Sequence, residues 1–172
     1  RGRCGTYSCL EGGPVEKCLY WDVAQYPGSS YYIGFLNGSV IAALAIAGDD
    51  PRAGPLLDFF LNTKFRQEIV PWSRDEGNGG AFKESSAHGE KATGLLIRAL
   101  RFYGNATGRD LINTEPGFNF VQQSIDYAIH STTPTMDSRY SYGDQPGTDH
   151  TGGLNDYSRE AVYEAALSVN DD

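Results

Sequence analysis

Val40-Ile41-Ala42-Ala43-Leu44-Ala45-Ile46-Ala47-Gly48-Asp49-Asp50-Pro51 is the stretch that decides the fold. Its first eight residues carry no polar side chain, and alanine and leucine favour helix. They read as the second half of a helix from Ser30 to Ala47. A helix that is apolar on every side must be covered all round, which points to an inner helix of a two-layer helical arrangement. The next residues are punctuation. Gly48 suits a helix C-terminus, Asp50 an N-cap and Pro51 a first helical position. A second helix therefore starts at once and runs to about Ile69. Leu57, Phe60, Leu61 and Phe65 share one face, with Asp58, Lys64, Arg66 and Glu68 outward. The two form an αα-hairpin with a very short link.

Working outward, Pro71 and residues 75–80 read as a loop, with Trp72 in it. Gly79-Gly80-Ala81-Phe82-Lys83-Glu84-Ser85-Ser86-Ala87-His88-Gly89-Glu90-Lys91 follows, a glycine turn leading into a polar run. Ala92, Leu95, Leu96, Ala99, Leu100 and Tyr103 then keep the spacing of one helix face. Ser86 suits the N-cap of that helix, and Glu90 the positive end of its dipole. Ionisable groups on a loop held by a rigid helix are a common way to build an active site. Gly104–Gly108 breaks the chain, and Pro116–His130 has helical spacing again. Residues 132–153 are rich in Pro, Gly, Ser, Thr and Asp, a length of irregular chain usually tied to function or mobility. Ser138–Tyr142 reads as a short strand at most, and Ser158–Val169 as a last helix. Residues 1–30 read as irregular, with a short helix near Glu16–Trp21. The expected fold is all-α, with antiparallel helical hairpins forming part of an (α/α) toroid whose ring is incomplete. Residues 1–172 are expected to be a fragment of one such domain: 1–30 irregular, 31–130 hairpins, 131–157 a long loop, 158–169 a helix.

Composition narrows the function. The chain has 14 Lys and Arg against 22 Asp and Glu, a net charge of −8. General nucleic-acid binding needs the opposite balance, so no nucleic-acid partner is expected. The longest apolar run, Val40–Ala47, is too short to span a bilayer, so no membrane partner is expected. The chain opens on Arg1, and its one methionine is Met136, which suggests a piece of a longer protein. Cys4, Cys9 and Cys18 contain no C-x-x-C pair. A local disulfide or free thiols are the plainer reading, and neither a metal site nor a cofactor is expected.

Two segments resemble the heparinase II/III-like family. One is Asn37-Gly38-Ser39-Val40 through Pro51; the other is Gly80-Ala81-Phe82-Lys83-Glu84-Ser85-Ser86-Ala87-His88-Gly89 followed by Leu95–Leu100. Asp137-Ser138-Arg139-Tyr140-Ser141-Tyr142-Gly143-Asp144 is similar to a later Gly-Asp stretch of that family. The likeness covers residues 30–145. It implies an α/α toroid, a C-terminal β-sandwich domain beyond this chain, and a polysaccharide lyase acting on an acidic, uronate-containing polysaccharide or oligosaccharide. The implied chemistry is metal-independent β-elimination, which needs a neutralised carboxylate, a base and an acid for the leaving oxygen. The family has a tyrosine where this chain has His88, and a glycine where it has Ser85. An imidazole, ordinarily near pKa 6.5, can exchange protons at neutral pH. The expected catalytic residues are His88 for proton transfer and Asn37 for carboxylate neutralisation.

Glu84, Trp72, Arg139, Tyr140 and Tyr142 are the expected substrate-binding residues. Arginine grips carboxylates, and aromatic faces stack on sugar rings. Each has a plainer alternative. Glu84 could pair with Lys83, Lys91 or Arg98; the aromatics could be packing; Asn37 could be structural. A toroid glycoside hydrolase would instead need two carboxylates at catalytic separation, from Glu84 with Asp75, Glu76, Asp144 or Asp149. A non-catalytic carbohydrate-binding relative is the third reading. A secreted or periplasmic location is expected.

Overall fold

The expected hairpin forms at Gly48, whose φ of 94° only glycine adopts without strain. The computed structural model describes residues 26–84, 86–140, 151–153 and 156–169, with side chains left undescribed at 86, 87, 139, 151–153 and 156–159. Helix α1 spans Ser30–Ala45, and the Ser29 hydroxyl caps it by accepting the Tyr31 N–H at 3.3 Å. After the turn, Asp50 accepts the Arg52 N–H at 2.8 Å and pairs with its guanidinium. That pairing holds residues 51–52 in a turn, so helix α2 starts at Ala53, two residues later than the proline predicts.

The second arm is longer than expected. Helix α2 (Ala53–Phe59) runs on through a π-helical stretch, Phe60–Ile69, into helix α3 (Val70–Arg74). Trp72 is thus helical, not in a loop. Pro71 does not end the arm; it is carried at the start of α3, directly after the π-helical stretch. Tyr32 near the start of α1 donates to Glu68 near the end of the π stretch, at 2.7 Å, so the two arms are antiparallel.

Helix α4 spans Ser86–Thr107. The side chain expected to cap it, Ser86, is outside the described atoms. The short helix α5 (Leu111–Thr114) follows, capped by Asp110, which accepts the Asn113 N–H at 3.2 Å. Helix α6 spans Phe120–Ser131, four residues later than the Pro116 start predicted. The reason lies in Gly117, at φ 73°, and in Arg74, whose guanidinium holds the Pro116 and Gly117 carbonyls. Strands β1 (Ser138–Tyr140) and β2 (Thr151–Gly153) pair antiparallel, Ser138 opposite Gly153. Helix α7 spans Asp156–Ala166.

Three long helices, α1, α4 and α7, lie side by side with α4 in the middle. Glu84, just before α4, bonds the first residue of α1. At the far end, Tyr103 of α4 packs on Phe60, which follows α2, with ring centroids 5.2 Å apart. These two contacts make α1 and α4 parallel. The ion pairs Arg98–Glu160 and Arg101–Glu164 climb both helices together, so α7 runs the same way. Between the inner helices and the returning arms lies an aromatic core. Trp72 packs on Phe82 and Phe120 at 4.7 and 5.3 Å, and Phe65 meets Phe118 edge-on at 5.0 Å. The described residues are thus mostly helical, built on antiparallel hairpins.

One expectation about α1 is overturned. Its apolar second half is not covered all round: Ile41 is 38% exposed, and Ala42, Ala45 and Ala47 are exposed too. One side is buried through Ile33, Leu36, Val40 and Ala43, while Ile41, Ala42 and Ala45 stand open to solvent. An all-apolar sequence states that cover is needed; it does not supply the covering element.

The tight crossing of the Gly79–Gly80 turn over α6 yields a paired prediction. Gly80 has φ 81°, and a Cβ there would lie 2.3 Å from the Gln123 carbonyl. Gly79 has φ 95° with open space around it. Gly79→Ala carries only backbone strain, about 1 kcal/mol, whereas Gly80→Ala adds a clash with backbone and should exceed about 3 kcal/mol. Equal losses in chemical denaturation would show that the crossing is loose.

Candidate functional site

The polar loop before α4 does something the sequence does not announce. Its Glu84 carboxylate accepts the Ser30 N–H at 3.0 Å, 54 residues away. It therefore sits at the positive end of α1, where a carboxylate is stabilised by the helix dipole and by an otherwise unpaired N–H. Two of its three expected partners go elsewhere: Lys83 reaches Glu76 at 3.6 Å and Arg98 pairs with Glu160. Glu84→Gln keeps a weaker acceptor, while Glu84→Ala removes it. The alanine variant should lose about 1 kcal/mol in a denaturant melt, and the glutamine variant less.

Next to Glu84 lies an open cleft of about 280 Å³, lined by Tyr26, Pro27, Glu68, Pro71, Trp72, Asp75 and Glu76. The Tyr26 hydroxyl donates to Glu76 at 2.5 Å. Partial burial, then the Glu76 contact, push the Tyr26 phenol up to about 12, and the same hydrogen bond holds the Glu76 carboxyl below its usual range. Tyr32 is also raised, first by burial and then by its bond to Glu68. This pair of contacts was not predicted; no local pattern marks a Tyr and a Glu 50 residues apart.

A phenol whose folded pKa is raised contributes stability that is complete below its unfolded value of about 10. That contribution drains away as pH climbs through the folded value, here about 12 for Tyr26. Thermal melts should therefore show stability falling between about pH 10 and 12, with a shallower fall in Tyr26→Phe. An identical pH profile in that variant would mean the Glu76 contact adds nothing.

Asn37 lies seven residues along α1, about 10 Å from its start at 1.5 Å per residue. It is 9% exposed, and its Oδ1 has no hydrogen-bond partner among the described residues. Leaving a buried acceptor unpaired costs about 1–3 kcal/mol, so such a group calls for an explanation. His88 is exposed in the first turn of α4, the helix that lies against α1. Asn37 thus lies midway along α1 and His88 at the start of α4, on neighbouring parallel helices and 51 positions apart in sequence.

Trp72 is 7% exposed and stacked into the core, so its ring faces offer no sugar platform; only its edge reaches the cleft. Its Nε1 has no partner among the described residues. Tyr140 stands 64% exposed on β1. Arg139 is described through its backbone alone, paired with Gly152, and Tyr142 and His150 lie outside the described residues, as do Cys4, Cys9, Cys18, Asp144 and Asp149. No group of three or more His, Cys, Asp or Glu residues suited to a metal occurs among the described residues. None of their helices is long and apolar enough to cross a membrane. Comparison with family profiles, curated proteins and solved structures found no match.

Proposed function

We propose that this chain is part of an (α/α) toroid of the heparinase II/III-like kind and that it acts on an acidic polysaccharide by β-elimination. The single observation that carries the reading is the buried side-chain amide of Asn37, whose Nδ2–H group can donate to a carboxylate, in the helix packed along the one that bears His88. A buried amide whose oxygen has no partner among the described residues costs stability. One kept for a ligand trades stability for contact. Support for the toroid is the set of three parallel helices, α1, α4 and α7, with antiparallel arms returning outside them.

In the proposed reaction the Asn37 amide hydrogen-bonds the uronate carboxylate and so lowers the barrier to ionising C5. The His88 imidazole takes the C5 proton, the C4–O4 bond breaks, and the electron pair left at C5 becomes the C4–C5 double bond. The His88 imidazolium returns its proton to the leaving O4, which ends as a hydroxyl, and the imidazole is neutral again. Glu84, bonded to the start of α1, acts at a distance from this chemistry by holding the two helices in register.

The test is to incubate the protein with alginate, hyaluronan and heparan sulfate and follow the ultraviolet absorbance of unsaturated uronate ends. Appearance of that absorbance supports elimination; saturated reducing ends would point to hydrolysis. The hydrolase reading has little to favour it, since Glu84 and Glu76 are both engaged in other contacts. A carbohydrate-binding relative without turnover is the remaining alternative. Binding of these polymers in calorimetry without product would select it.

A further inference from the structure

The sequence holds two Asn-Gly pairs, Asn37-Gly38 and Asn78-Gly79. Such a pair can react with itself: the glycine nitrogen attacks the asparagine side-chain carbonyl, and the missing Cβ leaves the approach open. The fold treats the two pairs differently. Asn37 is 9% exposed and Gly38 lies inside α1, where its N–H belongs to the helix ladder. Asn78 and Gly79 are exposed in the turn ahead of α4, with Gly79 at φ 95° and open space around it. One side chain of α6 holds this second pair. Gln123 Nε2 donates to Asn78 Oδ1 at 2.9 Å, and Gln123 Oε1 accepts the Gly79 N–H at 3.3 Å. The carbonyl open to attack and the nitrogen that would attack it are thus both bonded to one amide, 45 and 44 residues away.

We propose that Asn78 is a site of spontaneous deamidation whose rate is set by the Gln123 clamp, and that the reaction loosens the crossing of the Gly79–Gly80 turn over α6. In the first step the Gly79 nitrogen loses its hydrogen to a solvent base and bonds to Asn78 Cγ. The Cγ–Nδ2 bond breaks and ammonia leaves with a proton returned by solvent, giving a cyclic imide. Water then opens the ring at either carbonyl, to aspartate or isoaspartate. The clamp opposes the first step twice. The Gly79 hydrogen is engaged by an acceptor instead of facing solvent base, and the Asn78 amide must give up a hydrogen bond before it can turn toward Gly79. The isoaspartate product routes the main chain through the former side chain, which lengthens it just ahead of Gly80. The crossing has no slack for this, since even a Cβ on Gly80 would lie 2.3 Å from the Gln123 carbonyl. Either product also adds a negative charge two residues from Glu76.

Trypsin reads the two pairs separately, because cleavage after Lys and Arg puts Asn78 in residues 75–83 and Asn37 in residues 18–52. The whole chain, incubated folded in mildly alkaline buffer, should gain aspartate and isoaspartate in the first peptide and none in the second, read by mass spectrometry. The same chain unfolded in guanidinium chloride should react at both. Gln123→Ala should speed the reaction of folded protein at Asn78 about fivefold, the rate factor for giving up one hydrogen bond. Gln123→Met, which keeps the side chain's length without its donor or acceptor, should give the same gain where Gln123→Ala folds poorly. Reacted protein, separated by ion exchange through its new charge, should melt below the unreacted form. Equal rates at Asn78 in wild type and both variants overturn the proposal. So does reaction of Asn37 as fast as Asn78 in the folded chain, or an unchanged melting temperature in the reacted protein.

Discussion

Phe120→Ala should lower the unfolding free energy by about 3–5 kcal/mol, the largest loss expected from a single side chain here. Phe120 is fully buried, and its ring touches those of Trp72, Phe82 and Phe118 at centroid distances of 5.3, 5.5 and 6.5 Å. These partners come from α3, the loop before α4 and the residues before α6. The ring is therefore the common contact of three chain segments that local propensity would leave apart. Removing it deletes the apolar area and leaves a void that flat, tightly bonded helices cannot close. For a chain of this length the midpoint should drop by about 10 °C in a thermal melt. Phe120→Leu, which keeps most of the volume, should lose less than half as much. Equal losses for alanine and leucine would show that the aromatic contacts, and not the volume, hold the three segments.

His88→Ala should reduce turnover of a uronate polymer by about 10²–10⁴-fold, the range for loss of a general acid–base group. The side chain is exposed in the first turn of α4, so the melting temperature should change by only a degree or two. That separation matters, because Phe120→Ala would reduce activity through unfolding. His88→Tyr, which restores the residue type of the resembled family, should recover part of the rate with a pH optimum moved upward. A tyrosine ordinarily ionises near 10, against about 6.5 for histidine. Full activity in His88→Ala would remove this residue from the reaction and leave the proposed elimination without its base.

Much of the helical pattern was readable from the chain. Ser30 begins α1 as its composition indicates, and the 3.6-residue spacing from Ala92 to Tyr103 marks the buried face of α4. Gly48 ends the first arm because few other residues accept its φ. The errors came where a distant group intervenes. Arg74 holds two carbonyls after Pro116 and delays α6. The short strand expected within Ser138–Tyr142 does form, over Ser138–Tyr140, though its partner Gly153 could not be read from those residues. Trp72, placed by its neighbours in a loop, became core because Phe82 and Phe120 close over its faces.

The candidate site divides in the same way. Sequence alone determined which residues carry usable chemistry, the imidazole of His88, the amide of Asn37 and the carboxylate of Glu84, and that His88 and Glu84 precede a helix anchored by its apolar face. It also determined the mostly helical character, since that follows from local spacing. Only the tertiary structure decided that Glu84 bonds α1, that Tyr26 meets Glu76, and that the Asn37 oxygen has no partner among the described residues. Each of these is a contact between groups about 50 residues apart, or the lack of one. Such contacts are fixed by how helices pack, and periodicity within one helix holds no record of its neighbour.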